Sequence, residues 1–293
     1  MEKLLIIGVD SFTGGHLKSY MGKYDFDVHG TAYGQSGDKI YQCDITKGSE
    51  IKNILESLKP EYIINLAGIS FVGNENKELF YKVNVIAVEN ILESILEIKD
   101  YVPKKTIFVS SATIYGNQSS NILDETMVPN PVNHYGISKL AMEQLAKTYF
   151  DKINMVIVRP FNYTGTGQAE NFLIPKIVSH YKNNKKIIEL GNIDVFREFN
   201  DINYVCEVYK RLLGCEAKSE IVNIASNRTI ALKDVIEDMN SISGYKIEIK
   251  VNPAFVRKNE IESLSGSSEK LFSIIGQVKQ NEFKHTLMEM YND

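Results

Sequence analysis

With 293 residues, 43% of them apolar, the chain is long enough for one large or two modest packed domains, which excludes a disordered or fibrous protein. The net charge of -4, carried by residues that alternate in sign, leaves no electrostatic footprint for nucleic acid or an anionic membrane. Cys43, Cys206 and Cys215 are odd in number and lack metal-type spacing, and the histidines are scattered, so neither a disulfide framework nor a metal site is expected.

In chain order, the short apolar runs KLLIIG, VHGTA, YIINLAG, KTIFVSSA, MVIVRP, KIIEL and IVNIA are rich in Ile and Val. Segments of helical period alternate with them, near 14–23, 48–58, 76–99, 135–151, 170–183, 202–213 and 231–242. Runs that are apolar on both faces, alternating with helices, predict an α/β fold: a doubly wound parallel sheet covered on both sides. The alternation loosens after about residue 160, where Gly, Asn and Pro become frequent. Residues 1–160 are therefore expected to form a dinucleotide-binding domain, and 161–293 mostly a smaller, irregular substrate-binding part, with some segments returning to the first. The apolar run at the N-terminus is too short for a signal peptide or a membrane span, so a cytoplasmic protein is expected.

The first run leads into GVDSFTGGHL. Gly8 permits a tight turn off the strand, and Gly14 permits close packing of the next helix, whose free N–H groups suit a pyrophosphate. Ser11 stands where a middle glycine is usual, so the fingerprint is incomplete. No acid occupies positions 30 to 35 at the end of the second run, which favours NADP over NAD because a 2′-phosphate meets no repulsion there; the nearest cation is Lys39. SSATIYG follows the run Thr106–Val109 and places Ser111 at a strand's carboxyl end. Further on, YGISK sets Tyr135 and Lys139 on one helix face. A lysine cation beside the phenol is expected to lower its pKa towards neutrality, so that Tyr135 trades a proton with a substrate oxygen while Ser111 donates a hydrogen bond to it.

Taken in order, the N-terminal glycine turn, D-I-T at 44–46, NLAG at 65–68, SSATIYG and YGISK resemble the extended short-chain dehydrogenase/reductases that act on nucleotide sugars. That resemblance implies a Rossmann-type fold, hydride exchange with a nicotinamide cofactor, and Ser111, Tyr135 and Lys139 as the catalytic set, Lys139 also holding the nicotinamide ribose. It further implies cofactor contacts from Gly8, Ser11, Phe12, Thr13, Gly14, Thr31, Asp44, Ile45, Leu66, Ala67 and Gly68.

Ala112 and Thr113 occupy the positions where relatives that eliminate water carry an acidic pair, so dehydration is not expected. RPFNYTGTGQ at 159–168 and GNIDVFREFNDI at 191–202 are similar to segments of reductases of GDP-4-keto-6-deoxy-mannose. From that similarity Ser70 and Asn162 are substrate contacts, Arg197 a diphosphate ligand, and Arg257 with Glu260 diphosphate and ribose contacts. Departures are Thr166 for a proline, Glu198 for an aspartate, and Phe172 where 4-epimerases carry an asparagine. The resulting expectation is NADPH-dependent reduction of the C4 ketone of a GDP- or dTDP-linked 4-keto-6-deoxy-hexose. An NAD-dependent 4-epimerase and a non-catalytic dinucleotide-binding scaffold are the alternatives. The resemblance also implies a homodimer through the helices near 76–99 and 135–151, although Ile86, Ile91, Ile95, Leu140 and Leu145 serve equally to cover the sheet.

Overall fold

The computed structural model describes residues 1–70, 75–255 and 263–293. Strands β1 (Glu2–Ile7), β2 (Phe26–Ala32), β3 (Ile40–Gln42), β4 (Tyr62–Asn65), β5 (Lys105–Val109), β6 (Ile122–Leu123), β7 (Met155–Pro160) and β8 (Tyr163–Thr164) come from the first half and centre of the chain. β9 (Ile187–Leu190), β10 (Phe196–Glu198), β11 (Asn200–Asp201), β12 (Glu220–Ile224), β13 (Thr229–Ala231), β14 (Glu248–Val251) and β15 (Ser263–Gly266) follow. The helices are α1 (Phe12–Met21), α2 (Gly48–Leu58), α3 (Lys77–Tyr81), α4 (Ala87–Glu97), α5 (His134–Lys147), α6 (Leu173–Lys182), α7 (Ile202–Leu213), α8 (Leu232–Ser243), α9 (Glu269–Ile275) and α10 (Phe283–Asn292).

Among the described residues, seven parallel strands form the main sheet in the order β12-β7-β5-β4-β1-β2-β3. The two-residue side-chain period divides β1 between two cores. Leu4 and Ile6 pack with Leu17 and Met21 of α1 and Val205 and Tyr209 of α7. Leu5 and Ile7 pack on the other face with Ile51 and Leu55 of α2, Ile91 of α4 and Met142 of α5. Strands buried on both faces are the reason the runs read as continuously apolar. The order reverses between β1 and β4, and the cleft outside their carboxyl ends is where such sheets take ligands.

A third core joins α6, α8 and α10 with β9 through Ile177, Tyr181, Ile188, Val235, Met239 and Leu287. KIIEL belongs here and not to the main sheet: β9 pairs with β14, exposing Ile187 and burying Ile188, so it is one-sided and alternating. The segment near 76–99 also departs from expectation. It is not one α-helix but α3, a π-helical turn at Lys82–Ile86, and α4. Ile91 and Ile95 cover the sheet, whereas Ile86 is exposed; Leu140 and Leu145 are half-buried against two different cores.

Candidate active site

Off the end of β1 the chain turns on Gly8, whose φ is +85°, and the Gly8 and Val9 amides donate to the Thr31 carbonyl at 3.0 and 2.9 Å. A Cβ on Gly8 would lie 2.8 Å from the Ala67 nitrogen, and one on Gly14 2.3 Å from the Gly8 carbonyl oxygen, so neither position accepts a side chain. Ser11 caps α1, its hydroxyl accepting from the Gly14 amide at 3.1 Å and donating to the Gly8 carbonyl at 2.7 Å. The serine that breaks the glycine fingerprint is thus the helix cap. The next amides, of Phe12 and Thr13, open the helix without an intrahelical acceptor and fit a dinucleotide's pyrophosphate. Thr31 does not face the cleft: it is buried and props the Gly8 turn from beneath.

Beyond the turn a groove of about 800 Å³ is lined by Tyr33, Gly34, Gln42, Asp44, Lys47 and Glu50, among others. The Thr46 hydroxyl and amide donate to Asp44 at 2.7 and 3.1 Å, and the hydroxyl first of all holds its carboxyl below the usual range. Ile45 is buried, and its carbonyl accepts from Asn90 at 3.0 Å. Lys39 is ion-paired with Asp27 at 2.5 Å, whereas Lys47, paired with Glu50 at 2.8 Å, lines the groove itself. Leu66 and Ala67 are half-buried and Gly68 is exposed where the chain leaves β4.

Asn133 caps α5 by accepting from the Gly136 amide at 2.9 Å, which places Tyr135 in the first turn and Lys139 in the second. Both Thr113 groups, amide and hydroxyl, donate to the Ser111 oxygen at 3.2 and 2.7 Å, so the serine's own proton points elsewhere. Ser111 faces Tyr135 closely enough to draw the pKa of its phenol downwards. Lys139 donates to the Val109 carbonyl at 2.8 Å, and a Cβ on Gly68 would lie 3.1 Å from its ammonium. These contacts gather Ser111, Tyr135, Lys139 and the NLAG loop at one strand-end cleft.

The proton affinities run against expectation. Burial pushes the Tyr135 phenol up to about 12, Ser111 pulling weakly the other way, and pushes Lys139 down to about 8. The expected fall in the phenol's pKa is not found, because burial outweighs the groups that would lower it.

Sequence reasoning missed Asn84. It lies fully buried in the π-helical turn and accepts from the Ile69 amide at 2.9 Å, while donating to the Ile69 carbonyl at 3.1 Å and to Ser138 at 3.0 Å. Ser138 in turn donates to the Tyr135 carbonyl at 2.8 Å. One amide thus ties the loop after β4 to the catalytic helix. The available signal was an Asn where the helical period demands an apolar side chain. Also missed was Tyr163, whose hydroxyl lies 2.8 Å from that of Thr13 and whose ring stacks on Phe12 with centroids 6.3 Å apart.

Of the expected substrate contacts, Ser70 and Asn162 are exposed, and the Asn162 carbonyl accepts from Asn200 at 2.8 Å. Arg197, on β10 between β13 and β15, is half-buried and donates to the Phe196 carbonyl at 2.8 Å. Arg257 and Glu260 lie outside the described residues. Glu198 is buried and gathers the Asn200 side chain at 2.7 Å and the Ser226 and Gly266 amides at 2.6 and 2.9 Å, joining the strands around Arg197. His134, next to Tyr135, is 3.0 Å from the Tyr81 hydroxyl. Phe172 is exposed and precedes α6. No metal-binding cluster occurs among the described residues.

The doubly wound sheet, the glycine turn and the Ser-Tyr-Lys set together define an extended short-chain dehydrogenase/reductase. The chain belongs to the NAD dependent epimerase/dehydratase family, whose sequence profile matches residues 4–225. It is 35% identical to the GDP-6-deoxy-D-talose 4-dehydrogenase of Aggregatibacter actinomycetemcomitans over 99% of this chain and 97% of that one. It is 26% identical to the GDP-6-deoxy-D-mannose reductase of Pseudomonas aeruginosa, over 100% of this chain and 97% of that one. A crystal structure from Burkholderia cenocepacia, 33% identical, superposes with a TM-score of 0.93 over 99% of this chain and 97% of that one.

Proposed function

We propose that the protein is an NADPH-dependent reductase of the C4 ketone of a GDP-linked 4-keto-6-deoxy-hexose, yielding a 6-deoxy sugar nucleotide for surface polysaccharide synthesis. The observation that carries this reading is the half-buried Tyr135 phenol set beside Ser111 at the strand-end cleft, with Lys139 one turn along the same helix. A phenol that carries its proton can give it to the oxygen that gains charge, as reduction of a ketone requires. NADPH, when bound, supplies the hydride. Tyr135 gives its proton to the oxygen that gains charge, and Ser111 donates a hydrogen bond to the same atom, its own oxygen being occupied by Thr113. Lys139 holds the nicotinamide ribose from the turn below. Ala112 and Thr113 offer no acid or base for elimination.

The names of the two relatives support the choice of nucleotide and ketone. 6-Deoxytalose and 6-deoxymannose differ only in configuration at C4, so one GDP-linked 4-keto sugar lies behind both alcohols. Tyr33 and Gly34, following β2 without an acid, support NADPH. Arg197 is proposed to grip the diphosphate, its planar fork matching two phosphate oxygens.

The test is incubation of the protein with NADPH and either GDP-4-keto-6-deoxy-mannose or dTDP-4-keto-6-deoxy-glucose, with the product's C4 configuration read by proton NMR. A 6-deoxytalose or 6-deoxymannose product from the GDP sugar is expected. Turnover of the dTDP sugar alone would overturn the nucleotide assignment, and turnover of neither by cofactor-binding protein would overturn the reaction.

A further inference from the structure

An ion pair that the reaction does not use lies directly beneath the catalytic lysine. Glu143, one helical turn beyond Lys139 on α5, is 0% exposed, and Arg159 on β7 is 3% exposed. Arg159 meets both carboxylate oxygens, its Nε at 2.9 Å and its Nη2 at 2.7 Å. Its Nη1 donates to the Tyr115 hydroxyl at 3.0 Å, which donates to Asn223 at 2.7 Å; the Asn223 amide donates to Glu125 at 2.7 Å. A buried charge pair is poor value as a stabiliser, since apolar residues of similar volume generally hold a core as well. Its position suggests another use.

We propose that Glu143, held in place by Arg159, is a positioning residue for Lys139: it keeps the ammonium charged and fixes the turn of α5 from which that ammonium reaches the cofactor ribose. This rests on Lys139 being the ribose contact. The groups around Lys139 are Glu143 and Tyr135 on its own helix, the Val109 carbonyl of β5 and Asn84 of the π-helical turn. Facing Glu143 is Arg159, backed by Tyr115 and Glu125. At the start of α5, Tyr81 of α3 meets His134, and just beyond its end Glu93 of α4 bonds Tyr149, with Glu89 also acting on that phenol. Glu143 is therefore the anion that offsets the desolvation of Lys139. With that carboxylate gone, the ammonium faces burial and the Arg159 charge unaided, and its proton leaves at lower pH.

The test measures NADPH affinity against pH by cofactor fluorescence in the wild type, Lys139→Met, Glu143→Gln and the double variant Glu143→Gln/Arg159→Met. Wild-type affinity is expected to fall as pH rises through about 8. In Glu143→Gln the fall comes about one pH unit lower, and in the double variant, which leaves no unpaired charge, it lies between the two. A merely structural pair would lower the melting temperature and leave the pH profile in place. An unshifted profile in either folded variant overturns the proposal, as does failure of both variants to fold, which would assign the pair to the fold alone. Unchanged affinity in Lys139→Met would instead remove the ribose contact itself.

Discussion

Tyr135 and Lys139 stand one turn apart, and burial moves both towards their neutral forms. Neutral phenol is the form a ketoreductase consumes, so replacing Tyr135 with Phe should lower kcat by about 10²–10⁴-fold while NADPH affinity changes little. Steady-state turnover beside cofactor titration checks this, and an active Tyr135→Phe enzyme would contradict the proton-donor role. Asn84 acts at the same scale. Each of its side-chain hydrogen bonds is buried or nearly so, and an Asn84→Ala protein leaves the Ile69 amide and carbonyl without those partners. A loss of about 2 kcal/mol is expected in urea unfolding, with a fall in kcat as the Tyr135 turn loosens. At this scale the sequence was legible where chemistry needs fixed spacing, as in YGISK, and opaque where roles depend on burial. The expected acidic phenol failed for that reason: spacing places Lys139 near Tyr135 but does not reveal how strongly burial raises the phenol.

Among elements, the main-sheet strands other than the three-residue edge strand β3, and α1, α2, α5 and α7, were readable because each obeys a single period. KIIEL was misplaced because a short apolar run looks alike in a two-sided central strand and a one-sided edge pair. The π-helical turn between α3 and α4 carries no signal beyond the misplaced Asn84, since a one-residue phase slip barely alters an apolar stripe. The short strands β8, β10, β11, β13 and β15 are two to four residues long, too short for alternation to be recognised. Beside the Phe12–Tyr163 ring stack, two hydrogen bonds link α1 to the segment after β7: the Thr13–Tyr163 hydroxyl pair at 2.8 Å, and His16 with the Thr166 carbonyl at 2.8 Å. They join the glycine turn to the motif that carries Asn162. Tyr163→Phe should therefore cost about 1 kcal/mol of stability and weaken NADPH binding several-fold, measured by thermal melting and cofactor titration. Unchanged cofactor affinity would show that α1 is positioned without it.

For the whole molecule, acid stability draws on carboxylates that ionise more readily in the folded state, Asp27 and Glu207 most strongly. Asp27 is held down to about 2 by Lys39 first and His29 next. Glu207 also lies at about 2, because bonds from Lys210, Arg211 and Tyr20 outweigh the burial that opposes them. A depressed carboxyl contributes stability that is complete above its unfolded value, 3.8 for Asp27 and 4.5 for Glu207, and fades as pH falls towards about 2. Glu207→Gln should accordingly be less stable than the wild type at neutral pH and converge with it near pH 2 in denaturant unfolding. A difference that persists undiminished into acid would show that packing, and not charge, is what Glu207 provides.

At the same scale, the sheet's reversal between β1 and β4 is what sets the glycine turn, the NLAG loop and the start of α5 around one cleft. The measurement that tests the central claim most directly is the fate of deuterium from NADPH labelled at C4 of the nicotinamide, with GDP-4-keto-6-deoxy-mannose as acceptor. Deuterium at C4 of the sugar, one per NADPH consumed, is the predicted result. A protein that retains its cofactor and interconverts nucleotide sugars without taking up deuterium from added NADPH would contradict the account and establish epimerisation in its place.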